Sequence, residues 1–188
     1  MNLSTYTCHS GGANGSDMMW ETEGYKYGVK TIGYSFWNHT QKSKNQKILT
    51  VDELNEGFEN VKIANKSLGR NPESIQYQYV KNLLSRNWFQ VKNSESIYAV
   101  GKLKNNNKIV DGGTGWAVQM GIDNNKNIFV FDQPTNSWYK YIYELSKFEK
   151  LYVIPILTTN FAGIGTRELT QGGKEAIQQI YKYNNEIE

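Results

Sequence analysis

Apolar residues recur along this chain in two rhythms. Compact runs such as Ser96-Ile97-Tyr98-Ala99-Val100 and Asn127-Ile128-Phe129-Val130-Phe131 have the length and β-branched or aromatic content of buried strands. Between them, Leu83, Leu84, Trp88 and Val91 fall at helical spacing and predict one buried helix face. Extended over the whole chain, the pattern predicts strands at Leu3–Thr7, Val29–Tyr34, Ser96–Val100, Asn127–Phe131 (ending at Asp132) and Thr158–Ala162. Helices are predicted from about Asp17 to Tyr27, from Thr50 to about Lys66, from Pro72 to about Lys92, through about Ile122, and from Thr170 to Tyr183.

Punctuation between the runs supports these assignments. Gly28 is a helix stop. Thr50-Val51-Asp52-Glu53 has capping-box spacing, in which the Thr hydroxyl and Glu carboxylate satisfy each other's backbone N–H groups. Gly69-Arg70-Asn71-Pro72 is a break, and Pro72 suits the first turn of the helix that follows. Ser35–Lys47 is polar and irregular, and Gly101–Val110 reads as an Asn/Lys-rich loop. Trp138–Ile154 alternates, is interrupted at Ser146-Lys147, and reads as a β-hairpin. Strands alternating with helices predict a largely parallel sheet covered on both faces. No linker or internal repeat divides the 188 residues, so residues 1–188 read as one domain.

Three glycine-rich turns fall where strands give way to helices: Ser10-Gly11-Gly12-Ala13-Asn14-Gly15-Ser16-Asp17, Asp111-Gly112-Gly113-Thr114-Gly115-Trp116 and Ala162-Gly163-Ile164-Gly165-Thr166-Arg167-Glu168. Glycine lets a backbone approach a ligand closely. A helix N-terminus offers free N–H groups and a partial positive charge, which suit phosphate. In a parallel sheet all three turns belong at the carboxyl edge, where ligands bind. The bland reading of each is a tight connection. Three together point to a pocket for a phosphate-bearing, nucleotide-derived ligand. Gly112, Gly113, Thr114 and Gly115 are the foremost phosphate candidates, while Gly11, Gly12 and Gly15 shape the first turn. Asp17 serves either as a cap or as a ribose contact. Asp111 precedes the second turn as a helix cap. Asp132 ends a buried strand, where it either binds ribose hydroxyls or forms the turn before Gln133-Pro134.

Composition narrows the partners. Net charge is +3, from 21 basic and 18 acidic residues, too balanced for a dedicated nucleic-acid binder. Lys42, Lys44 and Lys47 read as a solvated loop. Thirteen Tyr and five Trp offer stacking surface, with Trp20, Trp116, Trp138 and Tyr139 as candidates and core packing as the alternative for each. Cys8 is the single cysteine, so no intrachain disulfide forms. With His9 and His39 the only imidazoles, no metal site is expected. Cys8 and His9 are adjacent on a strand and point to opposite sides, which argues against a nucleophile pair. No leader peptide or membrane-spanning run is visible, and a cytoplasmic protein is expected.

The pattern Gly11-Gly12-Ala13-Asn14-Gly15-Ser16-Asp17, Ser85-Arg86-Asn87 before the Ile97–Val100 strand, Gly112-Gly113-Thr114-Gly115 and Gly163-Ile164-Gly165-Thr166-Arg167 resembles the Rossmann-like nucleotide-binding superfamily of LOG-type phosphoribohydrolases, DprA-like single-strand-binding proteins and SLOG sensor domains. Over nearly the entire chain it also resembles a group of phage and bacterial SLOG-like proteins. The resemblance implies an α/β, Rossmann-like, mainly parallel sheet with helices on both faces and an inserted β-hairpin. It implies ligand contacts from Ala13, Arg86, Asn87, Trp116, Gln119, Gly163, Gly165, Thr166 and Arg167 in addition to the residues above. In the LOG-type motif Gly-Gly-x-Gly-Thr-x-x-Glu, the glutamate supports glycosidic cleavage. Here Gln119 occupies that position and Trp116 replaces the Thr. A carboxamide cannot act as a general base. The expectation is therefore a binder, without catalytic residues or cofactor, that sequesters or senses a nucleotide-derived signal such as an ADP-ribose derivative or cyclic nucleotide in phage counter-defence. The alternative is an N-glycosidase acting on nucleoside phosphates, with Glu21 and Glu168 as the available carboxylates. DprA-like single-strand binding is disfavoured by the modest charge. LOG-type assembly implies a homo-oligomer packed through the Pro72–Lys92 helix.

Overall fold

The computed structural model describes residues 2–71 and 75–187. Its strands are β1 (Thr7–Ser10), β2 (Lys30–Ser35), β3 (Gln46–Ile48), β4 (Ser96–Gly101), β5 (Leu103–Lys104), β6 (Ile109–Val110), β7 (Asn127–Asp132), β8 (Ser137–Ile142), β9 (Lys147–Lys150) and β10 (Asn160–Gly165). Its helices are α1 (Ser16–Lys26), α2 (Val51–Ser67), α3 (Gln78–Lys92), α4 (Thr114–Asp123) and α5 (Gln171–Glu186). Eight strands form one sheet in the order β3-β2-β1-β10-β4-β7-β8-β9. It is parallel from β3 to β7, and β8 and β9 continue it antiparallel, a Rossmann-like α/β arrangement. β10 lies between β1 and β4, pairing Cys8 with Phe161 and Ala162 with Ile97.

The strand period of two builds a core on each face. Ile97, Ala99, Ile128, Val130, Ala162 and Ile164 face α2, α3 and α4. Cys8, Tyr98, Val100, Phe131 and Phe161 face α1 and α5. β4 is buried along its full length, as a central strand covered on both sides must be. On the second face Trp20 is fully buried among Tyr98, Phe161 and Tyr181, and its indole N–H donates to the Ile164 carbonyl at 3.2 Å. Gly163 lies directly beneath this ring, where a Cβ would strike both Trp20 and Cys8.

Local chemistry explains both the agreements and the departures. The Thr50–Glu53 capping box is formed, with bonds of 3.2 and 2.8 Å. Thr170 caps α5 through Gly173 N–H. The expected first strand over Leu3–Thr7 begins only at Thr7, because Asn2 accepts from Ser4 N–H and curls Leu3–Thr5 into a 3-10 turn that buries Leu3. The expected loop at Gly101–Val110 holds the β5–β6 hairpin, turned by Asn105, Asn106 and Asn107 in left-handed conformation, which Asn tolerates. β3 adds a strand at the end of the segment expected to be irregular. The hairpin expected over Trp138–Ile154 is β8–β9, and its strands close at Lys150. The third helix begins at Gln78, with Ile75–Tyr77 outside it, and the expected role of Pro72 lies outside the described residues.

Candidate functional site

Parallel strands point their carboxyl ends the same way, so the turns after β1 and β10 and the turn before α4 share one edge. There they wall a cavity of about 470 Å³ together with one stripe of α3. The first turn contributes Ala13 and Asp17, the second Gly112, Gly113, Thr114 and Trp116, and the third Gly165, Thr166 and Arg167. From α3 come Arg86 and Asn87.

The turns are fastened to one another. Ser10 Oγ accepts from Gly12 N–H at 3.1 Å, and Gly12 has φ 63°, which a side chain there would strain. Ser16 donates to the Thr166 carbonyl from both N (3.0 Å) and Oγ (2.8 Å), while Thr166 N–H donates to the Val100 carbonyl at 2.9 Å. Gly15 sits against the Arg167 backbone, close enough that a Cβ would overlap it.

Arg86 is the buried cation of the site, with 5% of its surface exposed. Its Nη1 donates to the Tyr34 carbonyl at 3.5 Å, and its Nε has no partner. Both neighbours of the Gln90 amide, Gly11 N–H and Arg86 Nη1, are donors, so Oε1 faces them and accepts at 3.2 and 3.1 Å. Burial lowers the Arg86 pKa, Asp17 opposes that, and Arg167 adds to it. Asp17 is 6% exposed and accepts from Ala13 N–H at 3.4 Å, a bond to the turn before α1 in place of the helix cap expected of it; the N-cap position, Gly15, has no side-chain cap. Burial pushes its carboxyl up to about 6 against the pull of Arg86 and the Ala13 N–H. His39, stacked on Phe36 at 4.8 Å, is held down at about 4 by burial and by the charges of Arg86 and Arg167.

The N-terminus of α4 lines the same cavity as Arg86. Asp111 accepts from Gly112 N–H at 2.9 Å and pairs with Lys104 at 2.7 Å; the Lys104 hydrogen bond is the chief reason its pKa is lowered. Among the described residues, the next two N–H groups, of Gly113 and Thr114, have no acceptor. A Cβ at Gly112 or Gly113 would meet open space, so the backbone here is bare toward the cavity. Trp116 is held as a flat wall, with its Nε1 donating to Asn65 at 2.7 Å and the Arg70 guanidinium over its ring at 4.0 Å.

The other candidate residues lie elsewhere. Gly11 is beneath the wall, where a Cβ would collide with Arg86 Nη1. Gly115 packs on the Val110 carbonyl, and Gly163 packs under Trp20. Gln119 donates to Asp123 Oδ1 at 2.9 Å, away from the cavity. Asp132 accepts from Leu103 N–H (2.8 Å) and from Thr135 N–H (3.2 Å) and Oγ1 (2.7 Å), the turn-forming alternative. Trp20, Trp138 and Tyr139 are buried in the cores. Lys42 and Lys44 are exposed, and Lys47 pairs with Glu53 at 3.0 Å.

Among the carboxylates, Glu21 is fully buried with neither oxygen hydrogen-bonded. Burial raises its pKa, tempered by the nearby Ser43 and Ser10 hydroxyls. Glu168 is exposed at the cavity rim. Cys8 is fully buried and desolvation drives its thiol pKa far up, while His9 lies on the opposite sheet face bonded to Tyr34 OH at 3.0 Å. Among the described residues, no group of three or more His, Cys, Asp or Glu could hold a metal ion, and no helix is long and apolar enough to cross a membrane.

Sequence reasoning missed Val80, Leu83 and Gln90 on the cavity wall. The signal was present, since positions 80, 83, 87 and 90 form one helical stripe beside Arg86. The result is a cavity with an anion-seeking end, at Arg86 and the bare α4 N-terminus, and an apolar flank at Val80, Leu83, Leu84, Trp116 and Ala117. No family model, curated protein or solved structure matches this chain.

Proposed function

We propose that this cavity binds a nucleotide-derived small molecule, with its phosphate between Arg86 and the Gly113 and Thr114 N–H groups. The observation that carries the reading is that Arg86, buried and with its Nε unpartnered, lines the same cavity as a helix N-terminus whose Gly113 and Thr114 N–H groups have no acceptor among the described residues. A buried guanidinium is costly unless an anion completes it. Trp116 and the Val80–Leu84 stripe then flank the ribose and base, and a volume of about 470 Å³ suits a ligand of that size. The protein acts as a binder that sequesters or senses a signal such as an ADP-ribose derivative or a cyclic nucleotide. The sealing of Glu21 and the placement of Gln119 outside the cavity favour binding over turnover.

One observation supports the N-glycosidase alternative: Asp17 lies on the cavity wall with a carboxyl poised at about 6, in the range useful for proton transfer. Titration calorimetry with ADP-ribose, AMP and adenosine, followed by chromatography of the mixtures, tests both readings. Binding of the phosphate-bearing compounds, weak or no binding of adenosine, and recovery of intact ligand are expected. Equal affinity for adenosine removes the phosphate assignment. Release of free base in proportion to protein replaces the binder with the glycosidase.

A further inference from the structure

Asp17 and Arg86 approach the same point from different elements. Asp17 stands in the first turn of α1 and Arg86 in the middle of α3, and both side chains reach the place where Gly11 lacks a Cβ. A Cβ built on Gly11 would lie 2.6 Å from Asp17 Oδ2 and collide with Arg86 Nη1. The two groups are 6% and 5% exposed, so little solvent screens one from the other. Any oxyanion that meets Arg86 here is therefore brought beside a carboxylate. Two negative charges in one buried site cannot both remain ionised at little cost.

We infer that an oxyanion enters this cavity together with one proton, which Asp17 takes up from solvent. The inference rests on the anion-binding part of the reading above and does not depend on which base or sugar the ligand carries. The product of the step is the neutral carboxylic acid, with a new O–H that can donate to the anion. The carboxylate that would repel the ligand becomes a hydrogen-bond partner.

The surrounding groups leave this task to Asp17. On its own helix, Glu21 is sealed from solvent, and burial already favours its neutral form. On β1, burial keeps the Cys8 thiol protonated. From the third turn, Arg167 adds positive charge and Glu168 is exposed at the rim. Before α4, Asp111 is tied to Lys104. His39 senses both Arg86 and Arg167, and at about 4 it stays neutral above acidic pH and supplies no compensating charge. Asp17, at about 6, is the group that an entering anion can push up through neutral pH.

Inorganic sulfate is the probe, because it remains a dianion across the working range and leaves every proton change to the protein. Calorimetric titration of the full chain should show affinity rising about tenfold per unit as pH falls from about 8 toward about 6, then levelling. At about pH 7, titrations in buffers of different ionisation enthalpy should report uptake of close to one proton per sulfate. Asp17→Asn should bind with the low-pH affinity of the wild type at every pH and take up no proton. The buffer comparison on wild-type protein stands even if the variant does not fold. Sulfate binding without proton uptake, or a variant that keeps the wild-type pH dependence, overturns the inference and leaves the anion site intact. No sulfate binding at any pH overturns both.

Discussion

Gly113→Ala separates a binding role for the second glycine turn from a folding role. The backbone of Gly113 has φ −64° and ψ −33°, which alanine adopts freely, and its Cβ would project into open space. Reduced freedom of the unfolded chain stabilises such a change by about 0.4–1 kcal/mol. Alanine's weaker performance at a helix start offsets it by a similar amount. Thermal stability should therefore stay nearly constant. The new methyl group, however, enters the open space beside the Gly113 and Thr114 N–H groups, where the proposed phosphate would sit. Losing one hydrogen bond to a charged partner costs about 1.5–3 kcal/mol, roughly a 10- to 150-fold loss of affinity. Gly112→Ala provides the converse: its φ of 65° is left-handed, so alanine should cost about 1–2 kcal/mol in folding. Calorimetry with AMP, with thermal denaturation alongside, measures both quantities. Combined with Arg86→Ala, Gly113→Ala should lose less than the sum of the single effects, because both are proposed to touch one phosphate. Unchanged affinity in a folded Gly113→Ala protein would show that the turn is structural only and would remove the centre of the site assignment.

Three further outcomes are expected. Asp17→Asn should be more stable than the wild type above about pH 6: a folded-state pKa raised from 3.8 to about 6 gives stability that is present at low pH and lost as pH climbs through that window, by up to about 3 kcal/mol, and denaturation at two pH values measures it. Cys8 should resist thiol reagents in the native protein and react only on unfolding, since it is fully buried and its thiol stays protonated; prompt labelling of folded protein would contradict this. Tyr77, Tyr79 and Val80 are exposed at the start of α3, and a homodimer that packs them together is expected by light scattering at micromolar concentration, where a monomer mass would refute it.

The sequence was most readable where one local rule acts alone. The Thr50–Glu53 capping box is a self-contained hydrogen-bond device, and it formed where its spacing put it. The compact apolar runs at Ile97–Val100 and Ile128–Phe131 were equally direct, since both strands are buried between two layers. Positions decided by distant partners were not readable. Nothing near Asp132 announces that Leu103, far off in the chain, supplies the N–H it accepts. Gly163 and Gly115 look like members of ligand turns, yet one makes room for Trp20 and the other for the Val110 carbonyl. Gln90 escaped notice because its partners, Gly11 and Arg86, meet only after β1 and α3 are packed.

The place of β10 in the sheet also governs how the molecule comes together. It is the last strand in the chain and sits between β1 and β4, hydrogen-bonded to both. As the polypeptide leaves the ribosome, the β1–β3 half and the β4–β9 half can each pair their own strands, but each keeps one bare central edge until β10 arrives. Such edges invite pairing with other chains, and contacts between the first and last strands are slow to close. The topology thus makes assembly a late zippering of two halves by one segment. The same event brings the third glycine turn against Ser16 and Val100. The cavity and the finished sheet therefore appear together.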